Sequence, residues 1–245
     1  MCTITFIARK KGFAVGMNRD EKLAREPALP PSIVQTGDRR TLFPSERGGG
    51  TWIGVNDTGV CFALINWYAI AAQVAGRSVS RGEVVRSALG ADSINDANKI
   101  LGQLPLKRVN PFRLMGFFLA RQEIIEWRWN SKKLEPLRHQ WETETWISSG
   151  FDEPGAQQSR GKTFVAALRQ PSVGERAWLR RLHRSHKPAC GPYSTCMHRE
   201  DAATVSYTEI IVSSREARMH YHAGPPCGHS KCFDRSLALA EAHAD

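Results

Sequence analysis

The chain predicts an α+β domain, and three observations carry that expectation. Alternating apolar residues bounded by turn chemistry mark strands near both ends of the 245-residue sequence. Helical spacing marks two blocks between them. No internal repeat, low-complexity linker or composition break divides the chain, so one domain over 1–245 is expected, with sheet and helix layers packed on each other.

The elements follow in order. Thr3 to Ala8 alternates, Arg9-Lys10-Lys11-Gly12 supplies a turn, and Phe13 to Met17 is apolar again, which predicts a hairpin. Pro27 to Pro44 is proline-rich and reads as loop. A second hairpin is predicted from Thr51–Val55 and Gly59–Asn66, turning at Asn56-Asp57-Thr58-Gly59. Ser80 to Leu89 places Val84, Val85 and Ala88 on one helical side. Asp92 to Leu104 opens with an acidic or a serine cap before Ala97, Ile100, Leu101 and Leu104. Phe112–Ala120 and Glu123–Trp129 read as a hairpin around Arg121-Gln122, and Thr145–Ser148 as a short strand. Gly161–Leu168 and Arg176–His183 look helical. Thr204–Val212 and Ala217–Tyr221 read as a strand pair, and Arg235–His243 as a C-terminal helix.

Composition narrows the class. A hydrophobic content of 41% is ordinary for a chain that can bury a core. No apolar run approaches the length of a membrane span. The stretch Ile4–Ala8 is too short for a signal-peptide core, and Lys10 and Lys11 follow it rather than precede it, so a cytoplasmic protein is expected. The net charge of +10 suits anionic partners, and part of it is local, with Arg176, Arg180, Arg181, Arg184 and Lys187 crowding one stretch. That stretch reads as a solvated basic helix face. No aromatic-interleaved RNA motif or helix-turn-helix pattern accompanies it, so no nucleic-acid partner is expected.

The chemistry concentrates at the amino terminus. A hairpin turning near Lys11 places residue 2 opposite about residue 20, so Cys2 meets Asn18-Arg19-Asp20-Glu21. A guanidinium beside a cysteine lowers the thiol pKa, and a carboxylate can hold that guanidinium in place. Removal of Met1 before so small a residue would leave thiol and α-amine on Cys2 together. That amine has an ordinary pKa of about 7.7–8.0 and can take the thiol proton near neutrality. Asn66 closes the apolar run Val60–Ile65, where an amide is costly unless partnered; it is either an oxyanion donor or a structural amide. Trp52 follows the glycines 48–50, which suggests a loop closely approached beside the site.

Met1-Cys2, Asn18-Arg19-Asp20-Glu21, Gly49-Gly50-Thr51-Trp52-Ile53-Gly54-Val55-Asn56 and Gly59-Val60 running to Ala63-Leu64-Ile65-Asn66 occur in the order of the NRDE family. The first 66 residues closely resemble that family, the transport-and-Golgi-organisation type, and Ser80-Arg81-Gly82-Glu83 and Thr204–Glu209 look like weaker continuations. The resemblance implies a four-layer αββα sandwich of N-terminal-nucleophile (Ntn) hydrolase type, kin to cysteine hydrolases that cleave non-peptide amide bonds. It implies Cys2 as nucleophile, Arg19 and Asp20 holding and polarising it, and Asn66 as oxyanion donor, with Asn18, Trp52 and Ser149 as candidate substrate contacts. Related hydrolases carry a second Asn where this chain reads Trp146-Ile147-Ser148-Ser149-Gly150, so Ser149 is the expected weaker substitute. The expected activity is an amidohydrolase or acyltransferase acting on a small acyl or amide compound. The family's eukaryotic members are linked to Golgi organisation, lipid metabolism and haem handling, which implies the alternative of a non-catalytic protein carrying a lipid, acyl-CoA or haem.

A second cluster competes for attention. Cys190, Cys196, His198, His220, His222, Cys227, His229 and Cys232 crowd the C-terminal region. Cys196-x-His198 and Cys227-x-His229-x2-Cys232 could supply tetrahedral ligands. The spacing matches no common zinc finger, so surface histidines and reduced cysteines are expected, with no metal or cofactor. Cys61, in an apolar run, is expected in the core.

Overall fold

The computed structural model describes residues 2–76 and 78–240. Among the described residues, thirteen strands form two antiparallel sheets, and four α-helices cover them. The first sheet contains β1 (Cys2–Arg9), β2 (Gly12–Lys22), β10 (Glu144–Ser148), β11 (Ala202–Val212), β12 (Glu216–His222) and β13 (Cys232–Ala238), in the order β10-β1-β2-β11-β12-β13. The second runs sequentially through β3 (Leu29–Thr36), β4 (Arg39–Ser45), β5 (Ile53–Asn56), β6 (Cys61–Asn66), β7 (Phe112–Phe118), β8 (Glu123–Trp129) and β9 (Leu134–His139).

Strand alternation sorts the core into three seams. Ile4, Phe6, Val15 and Met17 of the first sheet meet Ile53, Cys61, Ala63 and Phe117 of the second, and Phe6 stacks on Phe117 with ring centroids 4.9 Å apart. Burial of Cys61 in this seam pushes its thiol far above the ordinary range, the inert state expected of a core cysteine. The outer face of the second sheet buries Phe62, Leu64, Leu114 and Trp127 against α1 (Arg81–Ala88) and α2 (Ile94–Gln103). The outer face of the first sheet buries Ile7 and Ala14 against α3 (Glu153–Ala167) and α4 (Arg176–His183). The layers are therefore αββα, as the resemblance implied.

Local chemistry explains the helix boundaries. Ser80 caps α1 by accepting from the Gly82 backbone N–H, and Ser93 caps α2 by accepting from Asp96 N–H. The third helix begins eight residues before the expected Gly161, because Asp152 accepts from the Gly155 N–H at 3.0 Å and Pro154 occupies its first turn.

Three expectations are corrected. The segment Pro27–Pro44 is not a loop: it contains β3 and most of β4. Among the described residues edge strand β3 has no strand hydrogen-bonded on its far side, and its register shifts between Leu29 and Ser32, so Pro30 and Pro31 interrupt no required pairing. The segment from Arg235 is not helical: Cys232–Ala238 pairs with β12 along its length, and Leu237 enters the inter-sheet core, while 241–243 lie outside the described residues. Strand β9, around Pro136, had no counterpart in the expectation. Among the described residues, no helix is long and apolar enough to cross a membrane.

Candidate active site

The first hairpin sets the site. Arg9 pairs with Gly12, so Lys10 and Lys11 form the turn and Cys2 lies opposite Arg19 rather than Asp20. On its other side Cys2 pairs with Ser148 of β10. Directly paired residues share a sheet face, so Cys2, Arg19 and Ser148 stand side by side. Ser148 Oγ is buried without a hydrogen-bond partner.

Cys2, 8% exposed, lines a cavity of about 340 Å³ with Arg19, Trp52, Asn66 and Arg81 among its walls. Burial pushes the Cys2 thiol above its ordinary pKa, and the Asp20 carboxylate adds to the rise. A hydrogen bond from the Asp20 backbone N–H and the charge of Arg19 pull the other way. Arg19 is held firmly. Its Nη2 donates to Glu46 Oε1 at 2.7 Å and lies 3.7 Å from Glu21 Oε2, while its guanidinium sits 4.3 Å over the Trp52 ring. Arg25 completes the web, 2.7 Å from Glu21 and 2.8 Å from Glu46.

Alternation separates the motif Asn18-Arg19-Asp20. While Arg19 faces the cavity, the Asn18 and Asp20 side chains bond residues of the helix-covered face. Asn18 Nδ2 donates to the carbonyls of His183 at 2.9 Å and Thr195 at 2.8 Å, and its Oδ1 lies 3.0 Å from His183 Nδ1. Those bonds occupy the amide, and Asn18 is not among the residues lining the cavity. The Asp20 carboxylate accepts from Arg160 Nη1 at 3.0 Å and from Thr204 Oγ1 at 2.6 Å.

The remaining expected residues divide. Asn66 ends β6 on the cavity wall and donates to Tyr68 Oη at 2.7 Å. Trp52 lines the cavity with its indole N–H buried and unpartnered. Ser149 lies outside the cavity wall, and its Oγ accepts from the Phe151 N–H at 3.3 Å, fixing the turn before α3. The serine beside Cys2 is Ser148.

Two arginines were missed. Arg160, on α3, is buried and joins Thr3 Oγ1 (2.8 Å), Asp20 and the Pro192 carbonyl (3.2 Å). No sequence pattern distinguishes it from a surface helical arginine. Arg81, first residue of α1, stands in the family-like run Ser80-Arg81-Gly82-Glu83, which by itself implies no role for it. It lines the cavity, donates to the Pro111 carbonyl at 3.3 Å, and among the described residues has no carboxylate within ion-pair distance. Burial holds it below the ordinary arginine pKa, opposed by the nearby Tyr68 and Cys2. Gly82 lets α1 approach this closely: a Cβ there would lie 2.9 Å from Gly50 Cα and from Thr51 N.

Solved structures share the architecture. The fold is similar to that of penicillin V acylase from Agrobacterium tumefaciens, with a TM-score of 0.56 and 12% identity over 96% of this chain and 85% of that one. It is also similar to a cysteine-to-alanine variant of conjugated bile acid hydrolase from Clostridium perfringens, with a TM-score of 0.53 and 10% identity over 99% and 100% of the two chains. The architecture is thus that of the Ntn hydrolases. The sequence is matched over residues 1–177 by the model of the Transport and Golgi organisation 2 family, and the chain belongs to that family. No curated protein matches it.

Proposed function

We propose that the chain is an Ntn-type amidohydrolase or acyltransferase, with Cys2 as its nucleophile once Met1 has been removed. The observation that carries this reading is the position of Cys2 at the head of β1, lining one cavity together with the carboxylate-held Arg19 and with Asn66. The freed α-amine takes the thiol proton, and sulfur attacks the substrate carbonyl. The second Asn66 N–H, the one not given to Tyr68, supports the developing oxyanion. Collapse, with the α-ammonium returning its proton to the departing nitrogen, expels the amine, and water or an acceptor nucleophile, giving its proton to the α-amine, then releases the acyl group and restores the thiol. Asp20 acts through its backbone N–H and by fixing the end of β2.

A cavity of about 340 Å³ lies at the small end of ligand sites, which run from roughly 300 to 1,000 Å³. That favours a small acyl or amide compound over an enclosed haem or whole acyl-CoA. Arg81, with its guanidinium free of carboxylate partners among the described residues, favours a substrate bearing an anionic group.

One observation favours a second reading: burial raises the Cys2 thiol, which disfavours the thiolate and suits a carrier of lipid, acyl-CoA or haem that performs no turnover. Intact-mass measurement and labelling with a thiol-reactive acyl probe separate the two. Loss of Met1 and acylation mapped to Cys2 are expected. Retained Met1, or a probe that labels other cysteines while sparing Cys2, would overturn the catalytic reading.

A further inference from the structure

Outside the Cys2 cavity, the structure gathers four ligand-type side chains whose sequence spacing matches no common motif. His186, Cys196, His198 and Cys227 bring one ligand atom each to within 4.8 Å of one another. His198 Nε2 is 3.2 Å from His186 Nε2, 3.6 Å from Cys196 Sγ and 3.4 Å from Cys227 Sγ. A tetrahedral zinc ion, with Zn–N of about 2.0–2.1 Å and Zn–S of about 2.3 Å, requires edges of about 3.3 Å between two nitrogens and about 3.5 Å between nitrogen and sulfur. These three edges, all drawn from His198 Nε2, agree with those values in kind and in order.

Simple surface crowding explains this poorly. Cys196 is fully buried, and the ligands come from three separate backbone stretches. His186 follows α4. Cys196 and His198 lie on the segment that leads into β11, with Cys196 N–H bonded to the Ser185 carbonyl at 3.0 Å. Cys227 rides on the turn Pro225–Gly228 in the β12–β13 loop, closed by the Gly228 N–H to Pro225 carbonyl bond at 3.0 Å. The neighbours His229 and Cys232, which the sequence offered as ligands, are not in the group.

The geometry points to a zinc site of two cysteines and two histidines, His186, Cys196, His198 and Cys227. Four protein ligands leave no open position, so the ion is structural rather than catalytic. Its role follows from what the ligands flank. Met197, between Cys196 and His198, donates its N–H to Thr204 Oγ1 at 2.8 Å and accepts from the Thr204 N–H at 2.8 Å. The Thr204 hydroxyl in turn donates to Asp20. A metal holding 186, 196–198 and 227 together therefore fastens the stretch that buttresses Asp20 and, through Thr195, Asn18. The inference requires no activity at Cys2.

The test uses the full chain purified under reducing conditions without a chelating tag. Elemental analysis after dialysis is expected to find one zinc per chain. Cobalt(II) replacing it is expected to give the intense visible bands of a tetrahedral ion with thiolate charge transfer in the near ultraviolet. Cys227→Ser, on an exposed loop, is expected to lose the ion and the charge-transfer intensity, whereas Cys232→Ser and His229→Gln keep both. Wild type remaining metal-free in the presence of zinc would overturn the site. So would an octahedral cobalt spectrum, zinc retention in Cys227→Ser, or zinc loss in Cys232→Ser.

Discussion

Arg160 Nη1 lies 3.0 Å from Asp20 Oδ2 with both side chains essentially sealed from solvent. The pair crosses from α3 to the end of β2 and also holds Thr3, the residue after Cys2. Breaking a buried ion pair by removing one partner leaves an uncompensated charge, which costs about 3–5 kcal/mol. Arg160→Met should lower stability by that order in denaturant unfolding. Adding Asp20→Asn to Arg160→Met should recover part of the loss; no recovery would mean that Arg160 matters through its bonds to Thr3 and Pro192 instead.

The two asparagines beside the site should fail in different ways. Asn18→Ala orphans the buried His183 and Thr195 carbonyls, each costing about 1–3 kcal/mol, and should appear as a fall in Tm. Asn66→Ala removes a half-buried amide from the cavity wall. It should leave Tm near wild type while slowing acylation of Cys2 by about 100-fold or more, the scale of losing an oxyanion donor. Equal Tm losses with unchanged labelling would make Asn66 a structural amide.

Two histidines set opposite pH limits on stability. His183 is buried, which pushes its pKa down to about 3, so the unfolded chain binds its proton first on acidification. Stability from this group is lost as pH falls below about 6.5, the ordinary histidine value. His139 is raised to about 9 by hydrogen bonds to Glu126 and Glu144. Its contribution is complete below about 6.5 and disappears as pH rises through about 9. Glu126, held far below the carboxylate range by His139, Arg128 and Arg113 against its own burial, adds a loss at still lower pH. Tm should therefore peak near neutrality on its slightly acid side, and His139→Gln should flatten the alkaline limb between about pH 6.5 and 9. An unaltered alkaline limb would refute the assignment.

The crossing of α1 over the glycine loop is a steric prediction. Gly82→Ala places a methyl 2.9 Å from the Gly50 and Thr51 backbone, so one wall must move. Overpacking of this kind costs about 1–3 kcal/mol. Because Arg81 and Trp52 flank the contact, labelling of Cys2 should fall together with Tm. A stable variant with unchanged labelling would show that the wall relaxes away from the cavity.

Arg81→Gln isolates substrate charge. For an anionic acyl or amide substrate it should raise KM about tenfold or more with a smaller effect on kcat, and it should do little to an uncharged analogue. Equal effects on both would assign Arg81 to holding the Pro111 carbonyl instead.

The central strands were legible because they alternate cleanly and carry their own turn residues, as Thr3–Ala8, Phe13–Met17 and Val60–Ile65 do. What escaped lies mainly toward the sheet edges. Strands β3, β9 and β13 are edge strands, with Pro30, Pro31 and Pro136 or an alanine-rich end, and tertiary pairing overrides their local preference. The site was legible as a neighbourhood but not as a set of directions. The hairpin register differs by one residue from the expected one, and in a strand one residue exchanges the faces. That single step sends Arg19 to Cys2 and turns Asn18 and Asp20 to the helices. Arg160 and the His186–Cys227 group were beyond reach, because their partners are distant in sequence and no spacing rule connects them.

The family match ends at residue 177, yet β11 begins at 202 and lies beside β2 in the middle of the first sheet. The matched region is therefore not a unit that can be excised. A chain stopped at 177 would strip β2 of a partner paired from Ala202 to Val212 and leave an open strand edge next to Arg19, inviting self-association in place of a cavity. The strand that locks β2 in place therefore lies beyond the residues by which the family is matched, and the Cys2 cavity depends on it all the same.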